Sequence, residues 1–105
     1  MVAPRFILAR WDELSLDKVT EMVARKLVAG PDLVMAQAYF KRGAIVPAHT
    51  PRRESTIYVL QGALRVQVDA ESVTVREGEL LIVPAAVTRQ AEALDDTFLL
   101  TVTSR

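Results

Sequence analysis

Two stretches of the chain decide its fold: GAIVPAHTPRRESTIYVLQG at residues 43–62 and GELLIVPAAVTR at residues 78–89. Each begins with a glycine and continues into β-branched and aliphatic residues, which is the composition of a strand. Glycine is the residue that a turn uses where φ must be positive, so these glycines indicate hairpin connections. The two stretches therefore predict strands that are joined by tight turns.

The same organisation extends over most of the chain. Apolar and polar residues alternate at 64–69 and 72–76, a pattern that is typical of half-buried strands with one face in water. Short, valine-rich segments separated by turn residues predict a sandwich or a barrel. The predicted strands are Leu33 to Phe40, Ser55 to Leu60, Leu64 to Val68, Val73 to Val75, Leu80 to Val83 and Thr97 to Val102.

Residues 11–28 allow two interpretations. In the first, Ser15 caps a helix whose apolar residues recur at helical spacing over 16–27. In the second, a turn leads into a strand at 21–28, which pairs with the strand at 33–40 across a Gly-Pro-Asp loop. We favour the strand, because a barrel needs a partner at that position.

Composition excludes several classes of protein. A chain of 105 residues, 50% of them hydrophobic, forms one domain over residues 1–105 with a real core. Its 13 basic and 13 acidic residues argue against a nucleic-acid partner, and no apolar run reaches the roughly 20 residues that a membrane-spanning helix needs. The chain has no cysteine and no N-terminal stretch typical of a signal peptide, so we predict a cytoplasmic protein.

The two stretches together resemble the two motifs of the cupin superfamily, G-x5-H-x-H-x3-E/Q-x6-G and G-x5-P-x-G-x2-H. Gly43, His49 and Gly62 stand in register with the first motif, and Gly78 and Pro84 with the second. The chain is similar in particular to small single-domain cupins of the pectin-degradation type, over nearly its whole length. The resemblance implies an all-β fold, a single antiparallel cupin (jelly-roll-like) β-barrel with a ligand pocket in its mouth.

The sequence departs from the cupin pattern at the positions of the metal ligands. The resemblance implies a divalent ion held by three histidines and a glutamine, and action on unsaturated sugar acids. Of those ligand positions the chain keeps His49, whereas Pro51 replaces the second histidine, Ser55 the glutamine and Arg89 the last histidine. Catalytic metal sites typically use at least three protein ligands. We therefore predict no metal and no other cofactor.

The residues at these positions define the predicted ligand pocket: His49, Ser55, Arg89 and Pro51. His49 is either a former ligand in the pocket wall or a general acid/base, and the second role needs an orienting partner that the sequence does not identify. Arg89 is either a surface residue at a strand end or a pocket cation where the metal is expected. As a pocket cation it would keep the positive charge that a carboxylate requires. No catalytic residue is assigned.

Three functions fit these observations. The leading hypothesis is a metal-free cupin that binds a small, carboxylate-bearing molecule. The alternative is a sugar-acid-modifying enzyme of the isomerase type, with a metal-free or rearranged site. The third is a barrel that only mediates dimerisation. We also predict a homodimer formed by sheet packing, with a strand around Arg5 to Arg10 crossing to the partner, because residues 6–8 are apolar.

Overall fold

The computed structural model describes residues 6–105, which form ten strands after a short 3-10 turn at Trp11–Glu13. In this part of the chain no helix is long and apolar enough to cross a membrane. The strands are β1 (Asp17–Thr20), β2 (Val23–Ala29), β3 (Leu33–Phe40), β4 (Ile45–His49), β5 (Ser55–Gln61), β6 (Ala63–Val68), β7 (Glu71–Arg76), β8 (Leu80–Val83), β9 (Arg89–Ala93) and β10 (Thr97–Ser104).

The strands build two sheets in which every neighbouring pair is antiparallel. One sheet has six strands in the order β1-β2-β3-β10-β5-β8, and the other has four in the order β4-β9-β6-β7. The sheets face each other as a jelly-roll-like barrel, which confirms the predicted all-β class. Within residues 6–105 no strand of one sheet pairs with a strand of the other, so the barrel consists of two facing sheets.

The core lies between the two sheets and follows the alternation in the sequence. Buried and half-buried residues alternate along β5, and buried residues alternate with more accessible ones along β6, because successive side chains of a strand point to opposite faces. The large side chains that are fully buried come from both sheets. They are Val59, Val66, Val83 and Leu99.

The region at residues 11–28 adopts the strand interpretation. Strand β2 pairs with β3 without a register shift, from Val23 opposite Phe40 to Ala29 opposite Val34. The helical alternative is therefore wrong. Spacing alone did not decide between helix and strand in this segment, and the backbone hydrogen bonds to β3 stabilise the strand.

The edge of the six-stranded sheet holds a strand that the sequence did not predict. Strand β1 pairs with β2 and places Asp17 opposite Arg25. The predicted N-terminal strand begins at Arg5, which lies outside the described residues. Residues 6–10 are exposed and form no strand within the single chain.

Two positive-φ positions mark turns that the barrel requires. Gly62 has a φ of 92° between β5 and β6, and a Cβ there would overlap the backbone of Asp96 and the side chain of Thr97. Ala86 has a φ of 64° in the turn before β9, at the position where the second motif carries a glycine. Only glycine enters this left-handed region without steric cost.

Candidate functional site

The four-stranded sheet brings His49 and Arg89 together. Both lie on the paired strands β4 and β9, where a shift in register between Val46 and His49 places His49 directly opposite Arg89. Pro47 lies inside that shift, and proline is tolerated here because β4 is an edge strand. The irregularity therefore positions both side chains on the same face of the sheet.

The six-stranded sheet supplies the opposite wall of the site. Ser55 begins β5 and is only 2% exposed. Between the sheets lies a cavity of about 300 Å³, at the small end of the range for ligand pockets. His49, Ser55 and Arg89 all line it, and most of the remaining lining is apolar or small, including Ala36, Ala38, Ile57, Leu64, Val66 and Leu99.

Arg89 is the central polar group of the cavity. Its Nη2 donates a hydrogen bond of 3.0 Å to Ser55 Oγ, whereas its Nη1 is buried and has no hydrogen-bond partner among the described residues. Desolvation by burial lowers the pKa of the Arg89 guanidinium from its ordinary value, because a low-dielectric environment disfavours the charged form. A buried donor without a partner is costly, so the side chain offers an unused N–H to an acceptor in the cavity.

His49 lies at the exposed rim of the same cavity. Its Nδ1 is 3.0 Å from the carbonyl oxygen of Pro47. Since a carbonyl can only accept, Nδ1 carries the hydrogen and donates it. In the neutral ring Nε2 is then an acceptor. The ring is thus oriented by the backbone of its own strand.

Pro51 occupies a different place from the other three predicted residues. It is not among the residues that line the cavity. Its carbonyl oxygen accepts a hydrogen bond of 2.9 Å from the backbone N–H of Ala86, and nearby Thr50 and Thr88 share a hydrogen bond of 2.9 Å between their hydroxyls. Pro51 therefore ties its loop to the turn that precedes β9, and so holds the loop around the site.

The donor set of the cavity does not fit a divalent metal. Arg89 stands at a ligand position with a cationic group, and its hydrogen bond already engages the Ser55 hydroxyl. Within residues 6–105 no three His, Asp or Glu side chains come close enough to share an ion. Because a guanidinium offers only donors, the site is suited to an anion instead of a cation.

Sequence reasoning missed several residues of this cavity. Arg25 on β2 lines it, and so do the hydroxyl-bearing Thr101 and Thr103 of β10. The signal for Arg25 was present in the alternation of Val23, Arg25 and Leu27, which puts all three on one face of a strand. This signal was ambiguous, because a helix and a strand in that segment would point the Arg25 side chain in different directions.

A larger hollow of about 580 Å³ adjoins this cavity and shares Val23 and Phe40 with it. Strands β1, β2 and β3 and the neighbouring ends of β5 and β10 line it. Its lining mixes both signs of charge, with Lys18, Lys41, Glu21 and Asp96. It contains none of the predicted site residues, and it is more open to solvent than the barrel cavity. We therefore assign the candidate site to the smaller cavity.

Comparisons with known proteins agree with this architecture. KdgF from Halomonas sp. is 32% identical, with a TM-score of 0.81 over 90% of this chain and 91% of that one. An RmlC-like cupin from Shewanella frigidimarina has a TM-score of 0.86 at 20% identity, over 97% of this chain and 91% of that one. The Cnp3 cupin domain of Schizosaccharomyces pombe has a TM-score of 0.80 at 14% identity, over 93% and 73%.

These likenesses confirm the resemblance to small single-domain cupins, because KdgF matches over nearly the full length of both chains. The two likenesses at lower identity support the fold alone. Curated protein sequences give no significant match. Residues 37–103 match the family model described as "Cupin domain". The chain therefore belongs to the cupin family.

Proposed function

We propose that this chain is a metal-free cupin that binds a small, carboxylate-bearing molecule in its barrel. The observation that carries the proposal is the buried Nη1 of Arg89, which has no partner among the described residues in a cavity of about 300 Å³. A carboxylate oxygen is the natural acceptor for that donor, because guanidinium and carboxylate form paired, charge-assisted hydrogen bonds.

The surroundings of Arg89 set the strength of such binding. Apolar walls strengthen a guanidinium–carboxylate pair, but removing water from the carboxylate offsets much of that gain. Ser55 already engages one side of the guanidinium, which leaves fewer donors for the ligand. We expect dissociation constants between about 1 µM and 1 mM.

The test compares glucuronate with glucose, which has the same sugar ring but no carboxylate. Glucuronate should bind in titration calorimetry or ligand-detected NMR, and glucose should bind at least tenfold more weakly, roughly the value of one charge-assisted hydrogen bond. Arg89→Ala should weaken glucuronate binding about 20-fold. Arg76→Ala, on the exposed part of β7, is the matched control and should change nothing. Equal binding of the two sugars, or an unchanged Arg89→Ala variant, would contradict the proposal.

A second candidate function rests on the orientation of His49. With Nδ1 donating to Pro47 O, the free Nε2 can accept a proton from a carbon of a sugar acid whose carboxylate is held by Arg89. That is the first step of a metal-free isomerase. Deuterium incorporation into glucuronate in D2O, seen by NMR and lost in His49→Gln, would support this enzyme. Binding without any exchange would leave the non-catalytic function.

We propose in addition that two copies of the chain pair through the outer face of the six-stranded sheet, in the cytoplasm. By alternation, the side chains opposite the core on β3, β5, β8 and β10 form this outer apolar face. On these four strands the face carries no acidic or basic side chain, and Lys26 of the neighbouring β2 lies at its border, opposite Gln37. An apolar face of this kind is self-complementary, so the occupant that we propose is a second copy of the chain. Its apolar members include Met35, Tyr39, Tyr58, Leu80, Ile82, Phe98, Leu100 and Val102, and its polar members include Gln37 and Thr56.

A further inference from the structure

A second arginine enters the same cavity from the opposite sheet. Arg25 lies on β2, where its neighbours in the register are Ala38 of β3 and Asp17 of β1. It lines the cavity together with Arg89, yet it is itself exposed and therefore lies toward the mouth. Within residues 6–105 its guanidinium forms no ion pair, even with Asp17 across the strand.

The two arginines cannot both bind the same carboxylate group. Arg89 is held at Ser55 on β5, and β5 is three strand positions from β2 in the sheet order. At a strand spacing of about 4.8 Å, this amounts to roughly 14 Å across the strands. The register adds an offset along the strands, because Arg25 is level with Ala38 and Ser55 is level with Val34. The two guanidinium groups therefore enter the cavity from separate directions, one partly buried and one at the mouth.

The lining between the two arginines suits a polar ligand with charge at both ends. Among the described residues no Asp or Glu lines the cavity, so nothing in its wall neutralises the two cations. Thr101 and Thr103 lie on β10, between β2 and β5 in the sheet, and both hydroxyl-bearing residues line the cavity. Two positive charges in the same cleft raise the local concentration of anions.

We infer that the ligand carries two anionic groups: a small dicarboxylate with one carboxylate on Arg89 and the other on Arg25. This inference rests on the proposed function, since it assumes that Arg89 binds the first carboxylate. The small volume of the cavity restricts the ligand to a short backbone, and the threonine hydroxyls favour one that carries hydroxyl groups. The ligand class is thus a short hydroxylated diacid.

The test uses three probes with the same six carbons: glucose, glucuronate and glucarate, which carry no, one and two carboxylates. Glucarate should bind the wild-type chain about fivefold more tightly than glucuronate, the value of a partly exposed charge pair. Arg25→Ala should remove that advantage and leave glucuronate affinity within twofold. Arg76→Ala should leave all three affinities unchanged.

The outcomes separate the two claims. If glucuronate binds through Arg89 but glucarate binds no more tightly, the diacid inference is overturned and the proposed function stands. The same holds if Arg25→Ala weakens both acids equally. If neither acid binds more tightly than glucose, both claims are overturned. An added salt series gives an independent readout: 0.5 M NaCl should reduce the glucarate advantage, because an exposed charge is screened.

Discussion

The two faces of the six-stranded sheet differ in how much small side chains contribute to them. Where the inner face borders the cavity, the small or short residues Ala36, Ala38, Ser55, Thr101 and Thr103 lie among larger apolar ones such as Ile57 and Leu99. The outer apolar face carries aromatic and long aliphatic residues instead, of which Leu80 and Ile82 are 62% and 61% exposed. In an ordinary half-buried sheet the large apolar residues point to the core.

These small inner residues and large exposed outer ones indicate what each face favours. Small residues on the inner face leave a space that the chain does not fill, and such space is costly unless something occupies it. Large apolar residues on the outer face stay in contact with water, which is unfavourable unless a partner covers them. The inner face therefore favours a ligand, and the outer face favours a second protein chain.

The largest expected effect concerns the outer face. Changing Leu80→Glu and Ile82→Glu together should weaken dimerisation more than about 100-fold, because two carboxylates would be desolvated at the interface. Light scattering at micromolar concentration should give a dimer mass for the wild type and a monomer mass for the variant. Val73→Glu, on β7 of the other sheet, should remain dimeric. A monomeric wild type would overturn the proposed assembly.

The second effect tests the space on the inner face. Ala38→Leu should fill part of the cavity, weaken glucuronate binding at least tenfold and change the free energy of unfolding by less than about 1 kcal/mol. Ala93 is equally small and buried but does not line the cavity. Ala93→Leu should therefore cost about 2–3 kcal/mol through overpacking. Equal costs in urea denaturation would show that both positions are packed alike.

The third effect concerns the charge of Arg89, which reaches the cavity from the four-stranded sheet. Arg89→Met should stabilise the fold by about 1 kcal/mol and raise Tm by about 5 °C, because it removes a desolvated charge with an unsatisfied donor. The lowered pKa of Arg89 means that its charge costs stability in full below the folded pKa. The cost disappears only as pH rises toward the ordinary value.

The gain from Arg89→Met should accordingly be the same at pH 6 and at pH 8 in thermal unfolding. Arg65→Met is the control, since Arg65 is exposed and paired with Glu92. It should be neutral or slightly destabilising, as surface ion pairs contribute little. A Tm lower for Arg89→Met than for Arg65→Met would show that Arg89 is structural, not reserved for a ligand.

The smallest effect concerns the turn that precedes Arg89 and strand β9. Ala86 holds a φ of 64° there, which an L-residue adopts at a cost. Ala86→Gly should raise the free energy of unfolding by about 0.5 kcal/mol, since strain relief outweighs the added freedom of the unfolded chain. Ala85→Gly, without positive φ, should lower it by a similar amount. Chemical denaturation measures both.

Most strands could be predicted from the sequence, but β1, β4 and β9 could not. Strand β4 contains Pro47, which argues against a strand unless the strand lies at an edge. Strand β9 is Arg-Gln-Ala-Glu-Ala, and its composition has no strand preference. Both form because neighbouring strands supply hydrogen bonds, and they carry two of the predicted site residues, His49 and Arg89.

The sequence by itself determined the fold family and predicted the loss of the metal ligands. The spacing of Gly43, Gly62 and Gly78 indicates tight turns, which few backbone conformations can form. The side-chain chemistry of Pro51 and Arg89 is enough to exclude both residues as metal ligands. Turn residues and side-chain chemistry are local properties of the sequence, so they can be read without knowledge of tertiary contacts.

Only the tertiary structure decided which side chains share the cavity. Arg25 and Arg89 are far apart in sequence and lie on different sheets, and the packing of the sheets makes both of them line one cavity. The direction of each side chain also depends on register, since a shift of one residue turns it to the opposite face. Register is a property of paired strands, so the cationic cavity could be seen only once the strands were paired.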